Sequence, residues 1–450
     1  MYKIFYPLLA AAFVLCIASA AAQTSALYFP PKTGTNWQTL SPGSQGFCPE
    51  RIDSLYTFLQ TQNTKSFLLL KDGKIVLEKY FGTFTQDSFW YWASAGKTVT
   101  AFLIGQAQEA GLLKIGDRTS QYLGSGWTSC PPDKEALITV RHQLTMTSGL
   151  DDGLPPTTAV PDPDNCEAPS CLQYKADAGT RWAYHNAAYT LLQTVVEAAS
   201  KMTINQFTKT YLFDRTGMKG LWLDNVLYGK ARDMARFGLL IQGGGVWNGD
   251  SLLRDRQYFY AMTHRSQALN KSYGYLWWLN GQESFMLPSL QLVFGGQLIP
   301  NAPSDLIAAL GKNDQKIHVV PSKGWVVVRQ GNAAAATGPN GGQVPTVFDN
   351  QLWMRLNQLV CVPTASSEPS STGMARVYPN PSADGWMVDL SNGSFEQARL
   401  FDLNGRLLWQ AAVEGKASLL VPAEGLSQGV YYLGLWRDGQ FQVLKLVKPN

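Results

Sequence analysis

The sequence predicts a mixed α/β fold in which the sheet is antiparallel (α+β). A helical lobe lies beside that sheet, and a small β-sandwich follows. Short apolar runs joined by tight turns occur at 67–80 and again at 306–329. The stretch from Lys97 to Gly243 has mostly helical periodicity. Further short strands follow a Ser/Thr/Pro-rich segment near the C-terminus. The 450 residues are enough for two or three domains.

The N-terminus has the layout of a secretory signal peptide. Lys3 precedes an apolar run from Tyr6 to Ala18, and the small residues 19–22 follow. The run is shorter than the roughly 20 residues that span a bilayer, so residues 1–22 are predicted to be cleaved rather than to anchor the chain. No later stretch predicts a stable membrane span. The net charge is only +4 and the basic residues are not clustered, which excludes a nucleic-acid-binding surface.

Five cysteines remain after the signal peptide, and an oxidising compartment permits disulfides among them. The odd number leaves at least one thiol unpaired. Cys166 and Cys171 bracket a short loop and are the favoured pair, with Cys130 as a competitor for either. Cys48 and Cys361 lie near the two ends of the predicted main domain and are placed to join them.

The main domain, residues 23–362, opens with a predicted hairpin. Phe67–Leu70 and Ile75–Tyr80 flank an Asp72-Gly73 pair, which is typical of a type I′ turn. Three more strands are predicted at 306–310, 316–320 and 325–329, and a helix at 350–360. Strands from both ends are expected to share one sheet, and a ligand would lie in the cleft between sheet and helical lobe.

Residues 363–375 read as a linker, since they are rich in Ser, Thr and Pro and lack apolar periodicity. Residues 376–450 then alternate short apolar runs with turn signals, including Asn404-Gly405 and Asp438-Gly439. That pattern predicts a small β-sandwich. No group of catalytic residues occurs in it.

Ser94 and Lys97 form the first chemical motif. An amphipathic helical pattern follows them, so Ser94 lies at a helix N-terminus and Lys97 shares its face. A serine hydroxyl becomes a nucleophile when a nearby base takes its proton, and a lysine is a base only where burial or a cation keeps it neutral. Alone, a Ser-x-x-Lys motif is weak, because an ordinary helix N-cap gives the same pattern.

Tyr184-x-Asn186 is the second motif, and a long apolar run follows it. The phenol of Tyr184 can share a proton with Lys97, and the amide of Asn186 can bind the lysine or the substrate. A buried tyrosine whose hydroxyl bonds to backbone is the competing interpretation. The nearby His142 and His185 are interpreted as structural.

Together with the phrase Ile138-Thr-Val-Arg-His-Gln-Leu-Thr-Met-Thr-Ser-Gly-Leu150, these motifs resemble the β-lactamase-related serine hydrolases. That family includes class C-type β-lactamases, D-alanyl-D-alanine peptidases, esterases and short-amide hydrolases. The resemblance runs from about residue 47 to 360. It implies the penicillin-recognising fold, with Ser94 as nucleophile and Lys97 and Tyr184 as the proton-transfer pair.

The third family motif is altered. Where the family has Lys-Thr-Gly on the strand beside the cleft, this chain has Ala309-Leu310-Gly311, followed by Lys312. Gly311 keeps the small residue, and the backbone N–H of Lys312 is a candidate oxyanion donor beside that of Ser94. The cation that holds a substrate carboxylate is lost, unless the Lys312 side chain stands in for it. An ester or small amide is therefore favoured over a penicillin or a D-Ala-D-Ala peptide.

The tail also resembles a known module. Val377-Tyr378-Pro379-Asn380-Pro381, Gly429-Val-Tyr-Tyr-Leu433 and the terminal Lys445-Leu-Val-Lys448 are similar to the C-terminal sorting domain of the type IX secretion system. This implies export to the cell surface or beyond through that machinery. An accessory carbohydrate-binding β-sandwich is the alternative.

The sequence as a whole predicts a secreted or cell-surface serine hydrolase acting on a small-molecule ester or amide through an acyl-enzyme on Ser94. We expect neither metal nor cofactor, with Asn186, Gly311 and Lys312 binding the substrate. Two alternatives stay open. One is a β-lactamase or D-alanyl-D-alanine peptidase, and the other is a non-catalytic surface or binding protein.

Overall fold

The computed structural model describes residues 27–335, 346–361, 375–391, 395–403, 406–437 and 440–449. The predicted signal peptide and the Asn404-Gly405 and Asp438-Gly439 turns lie outside these residues, as does nearly all of the predicted linker. The chain divides into two compact units, with the boundary between Cys361 and Val362. Each unit is described by itself below.

The larger unit is centred on an antiparallel sheet of six strands. In the order β2-β1-β13-β12-β11-β8, these are Lys74–Tyr80, Thr64–Lys71, Trp325–Gly331, Gln315–Val320, Ile307–Gly311 and Trp278–Leu279. β1 pairs directly with β13, so strands from the two ends of the unit share one sheet, as predicted. The β1–β2 turn has positive φ at both Asp72 (48°) and Gly73 (85°), which is the backbone of the predicted type I′ turn.

Helices cover both faces of this sheet and form the lobe beside it. The helices within the described residues are α1 (Pro49–Thr61), α2 (Lys97–Glu109), α3 (Ser120–Leu123), α4 (Pro132–Glu135), α5 (Val140–Leu144), α6 (Asn186–Ser200), α7 (Ile204–Thr208), α8 (Asp214–Thr216), α9 (Ala231–Gln242), α10 (Arg256–Thr263) and α11 (Thr346–Asn357). The last of these begins four residues before the helix predicted at 350–360 and ends three residues before its end.

Short strands complete the lobe. β3, β4 and β5 (Trp90–Tyr91, Gly220–Leu223 and Val226–Gly229) form a three-stranded sheet, while β6 with β7 (Val246–Trp247, Asp250–Ser251) and β9 with β10 (Ser284–Phe285, Phe294–Gly295) form two-stranded pairs. β3 ends two residues before Ala93. The small sheet therefore supports the backbone just ahead of Ser94.

Helix α9 packs closely on one face of the main sheet. A Cβ at Gly238 would contact Val326 and come within 2.9 Å of Ile317, so the glycine permits this approach. On the opposite face, α1 and α11 pack together, with Phe58 and Phe348 stacked at 5.8 Å between ring centroids. Close packing on both faces makes the sheet a buried, rigid support.

A buried ionic cluster joins α11 to the sheet. Asp349 accepts from Lys316 Nζ at 2.9 Å and pairs with His318 Nε2 at 2.9 Å, and all three side chains are fully buried. Trp353 Nε1 also donates to His318 Nδ1 at 3.1 Å. Lys316 and His318 alternate along β12 with apolar residues that face α9, which places the polar side chains on the α11 face.

The favoured pair, Cys166 with Cys171, is present, and so is the join between the domain ends through Cys48 and Cys361. Cys48 joins Cys361, across 313 residues of sequence, and Cys166 joins Cys171. Cys130 is a free, partly buried thiol. In the chain-entropy treatment a cross-link over so long a loop stabilises the native state by roughly 6 kcal/mol, so Cys48–Cys361 ties the two ends of the larger unit together.

The smaller unit is a β-sandwich of two antiparallel sheets. One contains β14, β15 and β18 (Arg376–Tyr378, Gly385–Asp389 and Ser418–Pro422), and the other β16, β17, β19 and β20 (Gln397–Phe401, Leu407–Ala412, Gly429–Arg437 and Gln440–Lys448). Alternate residues such as Leu433 and Leu435 are fully buried between them. The predicted sandwich is confirmed.

Among the described residues, we find no helix that combines the length and apolarity needed to cross a bilayer.

Candidate active site

Ser94 lies in a short turn at the start of the lobe. Residues Ala93–Gly96 form a 3₁₀ turn that runs directly into α2 at Lys97; we call it the Ser94 turn. Ala93 has φ of +47°, a left-handed conformation that costs a non-glycine residue roughly 1 kcal/mol. A bond from Trp92 N to Leu227 O (2.8 Å) helps to hold this backbone. The turn presents a partly exposed serine at a helix N-terminus.

Lys97 is buried directly beside the serine. Its side chain is 3% exposed, and its Nζ donates to Ser94 Oγ at 2.9 Å and to Asn186 Oδ1 at 2.8 Å. The same nitrogen lies 4.0 Å from the ring centroid of Tyr189 and 5.0 Å from that of Tyr184. The predicted pair at i and i+3 is thus in contact, and aromatic rings cover the lysine.

This burial changes the chemistry of the lysine. Loss of hydration lowers the pKa of the Lys97 ammonium from 10.5 to about 7, although the charge of Asp164 acts in the opposite direction. Burial disfavours the charged form because the interior solvates an ion less well than water does. A large fraction of Lys97 is therefore neutral at physiological pH and can accept a proton.

Tyr184 is the third predicted residue at this point. Burial raises the pKa of its phenol well above the ordinary value, while a hydrogen bond with Ser94 opposes that rise. The ring stacks on Trp278 at 5.9 Å between centroids. The phenol consequently keeps its proton at neutral pH and is suited to pass a proton on rather than to start as a phenolate.

Asn186 is held from two sides. Its Oδ1 accepts from Lys97, and its Nδ2 donates to Asp164 Oδ2 at 2.6 Å. The backbone N–H of Asn186 also donates to the other oxygen of Asp164, at 3.0 Å. Asp164 was not among the residues predicted from the sequence, because it lies in a loop without periodicity. Its position two residues before Cys166 is the one local hint that this loop is fixed in place.

The end of strand β11 reaches the Ser94 turn. A Cβ added at Gly311 would contact Trp92 O and would lie 3.0 Å from Ala95 N. Only a residue without a side chain permits this approach. The role predicted for Gly311 from the sequence, to let substrate approach the strand, stays a prediction.

Lys312 begins the turn after β11. Asn313 and Asp314 in this turn both have positive φ, and Asn313 Nδ2 donates to Tyr91 Oη at 2.7 Å. Arg329, fully buried, donates to the carbonyl oxygens of both residues at 2.9 Å. The backbone at Lys312 is therefore firmly held, whereas its side chain is exposed.

The strand surface beside Ser94 carries no charge. Ala309 pairs with Ile317 across the sheet and is fully buried, and Leu310 is 4% exposed. Cross-strand partners share a face, so Ala309 and Gly311 lie on the α9 side of the sheet, where the Ser94 turn is. In this part of the cleft the methyl group of Ala309 takes the place of the lysine in the family's Lys-Thr-Gly motif.

The two histidines near the motifs have structural surroundings. His142 Nδ1 accepts from Thr139 N at 3.2 Å at the start of α5. His185 is 1% exposed, and burial lowers its pKa. Neither contacts Ser94 through a described hydrogen bond.

Two family models match the chain. Residues 63–227 match the model described as “Beta-lactamase”, and residues 376–449 match the “Secretion system C-terminal sorting domain”. The first match includes Ser94, Lys97 and Tyr184, and the second covers the β-sandwich unit.

One curated relative and two solved structures extend these matches. “Putative penicillin-binding protein PbpX” of Bacillus subtilis (strain 168) is 26% identical over 159 residues, which are 34% of this chain and 39% of the relative. The match therefore spans well under half of that relative.

The solved structures show the fold. The structure of a “Putative 6-aminohexanoate-dimer hydrolase from Bacillus anthracis” has a TM-score of 0.56 at 17% identity, covering 74% of this chain and 91% of that one. A “putative beta-lactamase from Bacteroides dorei DSM 17855” has a TM-score of 0.55 at 18% identity, covering 70% and 99%. The penicillin-recognising fold predicted from the motifs is confirmed.

Proposed function

Because the chain carries a β-lactamase-family domain followed by a secretion sorting domain, we propose that it is an exported serine hydrolase. It cleaves an ester or a small amide through an acyl-enzyme on Ser94. The observation that carries the proposal is the 2.9 Å contact between Ser94 Oγ and the buried Nζ of Lys97. A buried, largely neutral lysine is the base that a serine nucleophile requires.

Acylation starts when neutral Lys97 accepts the Ser94 proton along this contact. The Ser94 oxygen bonds to the substrate carbonyl carbon, and the carbonyl oxygen becomes an oxyanion. The bond to the leaving group then breaks, and the protonated phenol of Tyr184 relays the proton from Lys97 to the departing alcohol or amine. Such proton transfers by a positioned group contribute typically 10²–10⁴-fold in rate.

The oxyanion is proposed to bind the backbone N–H groups of Ser94 and Lys312. Support comes from the close approach of Gly311 to the Ser94 turn and from the held backbone of the following turn. Positioned donors stabilise developing charge without having to reorganise. Hydrolysis follows when Lys97 takes a proton from water and the resulting hydroxide bonds to the acyl carbon. The bond between that carbon and Ser94 Oγ then breaks, the proton passes from Lys97 to Oγ, and the carboxylic acid leaves.

The substrate class follows from the strand beside the serine. Ala309 supplies no cation for a substrate carboxylate, and the Lys312 side chain is exposed. Tyr184 is partly exposed, and the buried rings of Trp278 and Tyr273 pack against it. A neutral acyl group, which needs no cation, suits this cleft better than an anionic penicillin.

Export is proposed to follow two signals. The predicted signal peptide at residues 1–22 would direct the chain across the inner membrane, and the tail would engage the type IX secretion machinery. Support for the second step is the family match at 376–449. The hydrolase domain, residues 23–362 in this proposal, would then act outside the cell or on its surface.

The test compares wild type, Ser94→Ala and Ser125→Ala on chromogenic short-chain esters, a D-amino-acid amide and nitrocefin. Ser125 is an exposed serine of the same unit and serves as the matched control. We expect ester or amide turnover and fluorophosphonate labelling in wild type and the control, and a loss of about 10³-fold or more in Ser94→Ala. Wild-type turnover by Ser94→Ala on every substrate would refute the proposal.

The competing function is that of a β-lactamase or D-Ala-D-Ala peptidase, favoured by the name of the curated relative. It uses the same residues, so nitrocefin turnover or stable acylation by penicillin at rates above those for the esters would select it. Wild-type protein that does not react with the fluorophosphonate would instead indicate a non-catalytic binding protein.

A further inference from the structure

Asp164 lies at the end of a hydrogen-bonded chain that starts at the nucleophile. Ser94 Oγ contacts Lys97 Nζ, Lys97 Nζ contacts Asn186 Oδ1 at 2.8 Å, and Asn186 Nδ2 contacts Asp164 Oδ2 at 2.6 Å. We propose that Asp164 is a positioning residue of the reaction, which orients the Asn186 amide and sets the pH at which Lys97 becomes a base. The inference rests on the proposed function of Ser94.

The two ends of the Asn186 side-chain amide differ in the hydrogen bonds that they can form. The oxygen of Asn186 can only accept and its nitrogen can only donate. Burial raises the pKa of the Asp164 carboxyl, and the hydrogen bonds from Asn186 and the charge of Lys97 oppose that rise. In its ionised form Asp164 offers acceptors alone, so the Nδ2 end must turn toward it and Oδ1 toward Lys97. With the amide reversed, Nδ2 would point at Lys97, and the lone pair of the neutral amine would turn toward that donor and away from Ser94.

The charge of Asp164 acts on Lys97. Its carboxylate favours the protonated form of Lys97 and so opposes the effect of burial on the lysine. The two rings that face Lys97, Tyr184 and Tyr189, carry phenols whose pKa values burial raises, so they are neutral. Asp164 therefore supplies the charge that acts on the lysine within the described part of the chain.

Other ionisable groups act on the neighbours of Lys97 and Asp164 rather than on Lys97 itself. His185 is next to Asp164, and burial lowers its pKa, so it is neutral at physiological pH. Besides Asp164, three charged residues act on His185, and Glu167 acts on Tyr189 rather than on Lys97. The three are Asp151, Asp152 and Arg181.

A purely structural role makes a different prediction. Helix α6 begins at Asn186 and its N-cap residue, His185, provides no side-chain cap. Asp164 accepts from the first backbone N–H instead, at 3.0 Å, and an anion there stabilises a helix. A cap alone would change thermal stability when removed, but it would leave the pH dependence of the nucleophile where it was.

The experiment measures the rate constant for fluorophosphonate labelling of Ser94 between pH 5 and 9 in the full chain, together with the thermal midpoint. The first variant is Asp164→Asn. The second is the double variant that combines Asp164→Asn with Asn186→Asp, here called the exchange. Asp162→Asn is the matched control, since Asp162 lies in the same loop but is exposed and contacts Asn165.

Asp164→Asn should shift the acidic limb of the labelling profile about one pH unit lower, because loss of the carboxylate lets Lys97 deprotonate more easily. Its plateau rate should fall about tenfold, since the amide introduced at position 164 presents a donor as well as an acceptor to Asn186. The exchange restores every hydrogen bond of the chain, but it places the carboxylate at position 186, directly next to Lys97. Its plateau should recover at least threefold over Asp164→Asn, with the limb above that of wild type.

The inference is overturned if the limb of Asp164→Asn stays within 0.2 pH unit of wild type, or if the exchange leaves the plateau as low as in the single variant. If Asp164→Asn does not fold, the plateau labelling rate of the exchange decides: a rate within about tenfold of wild type supports the inference, and a lower rate overturns it. Failure of the proposed function is distinguished separately, since wild type itself would then lack Ser94-dependent labelling.

Discussion

Replacing Lys97 by Met should make the protein more stable at low pH while abolishing hydrolysis. The folded state lowers the pKa of this lysine from 10.5 to about 7, so the folded protein binds a proton there less readily than the unfolded chain does. Each pKa unit corresponds to about 1.4 kcal/mol. The full shift therefore amounts to roughly 5 kcal/mol of destabilisation when the lysine is charged in both states.

The sign and the pH range follow from linkage. Stability rises with pH wherever the unfolded state binds more protons, which for Lys97 is between its two pKa values of about 7 and 10.5. The destabilisation by Lys97 is complete below about pH 7 and is lost as the pH approaches 10.5. It amounts to about 5 kcal/mol at pH 6 and about 2 kcal/mol at pH 9.

Methionine has nearly the volume of lysine but carries no charge, and it leaves Asn186 Oδ1 without the bond from Lys97. That loss costs about 1–3 kcal/mol and does not depend on pH. The gain in unfolding free energy of Lys97→Met over wild type should therefore be about 3 kcal/mol larger at pH 6 than at pH 9. Denaturant unfolding, followed by near-UV circular dichroism at both pH values, measures this difference.

Lys114→Met is the matched control, because Lys114 is exposed in the same unit, and its effect should be the same at the two pH values. A Lys97→Met gain that differs by less than 0.5 kcal/mol between pH 6 and pH 9 would refute the reasoning. The lysine would then not be buried in a largely neutral form.

Two further substitutions test the supports of the site. Gly311→Ala should lower kcat/KM for an ester at least tenfold in a folded protein, because the added methyl meets the backbone of the Ser94 turn; steady-state kinetics at fixed pH measures it. Asp349→Ala should destabilise the fold by about 3 kcal/mol, because it removes the carboxylate shared by the buried Lys316 and His318, while Lys316 keeps its ion pair with Asp314 at 3.2 Å; the thermal midpoint measures it.

Each of these substitutions has a control in the same unit. Gly116→Ala places a methyl where no atom lies within 4 Å and should keep wild-type kinetics. Asp133 is exposed, so Asp133→Ala should change stability by no more than about 0.5 kcal/mol. Wild-type kcat/KM in Gly311→Ala, or an Asp349→Ala effect no larger than that of Asp133→Ala, would contradict the proposed roles.

The predicted elements that agree best with the structure are those encoded by local signals. The Asp72-Gly73 turn requires positive φ at two successive residues, and few sequences favour that. The three strands after residue 306 are short apolar runs separated by tight turns, so their bounds were predicted to within two residues. Ser94 and Lys97 share a helix face because three residues nearly complete one turn.

Contacts between residues that are far apart in the sequence were harder to predict. Asp164 lies in a loop with no repeating pattern, and its contact with Asn186 depends on how residues 151–178 fold back on α6. The buried pair of Lys316 and Asp349 joins a strand to a helix that is 33 residues later. Neither contact leaves a periodic signal, because nothing in the local sequence specifies which polar group will be the partner.

The sequence by itself determined the order of the motifs, the two-part organisation of the chain and the helix and strand patterns that carry Ser94, Lys97 and Tyr184. Those features depend on spacing, side-chain size and turn chemistry, which act between near neighbours. Only the tertiary structure decided that Lys97 is buried under two aromatic rings and that Asp164 reaches it through Asn186. Burial and charge are sums over residues brought together from distant parts of the chain, and they determine whether a lysine next to a serine is a cation or a base.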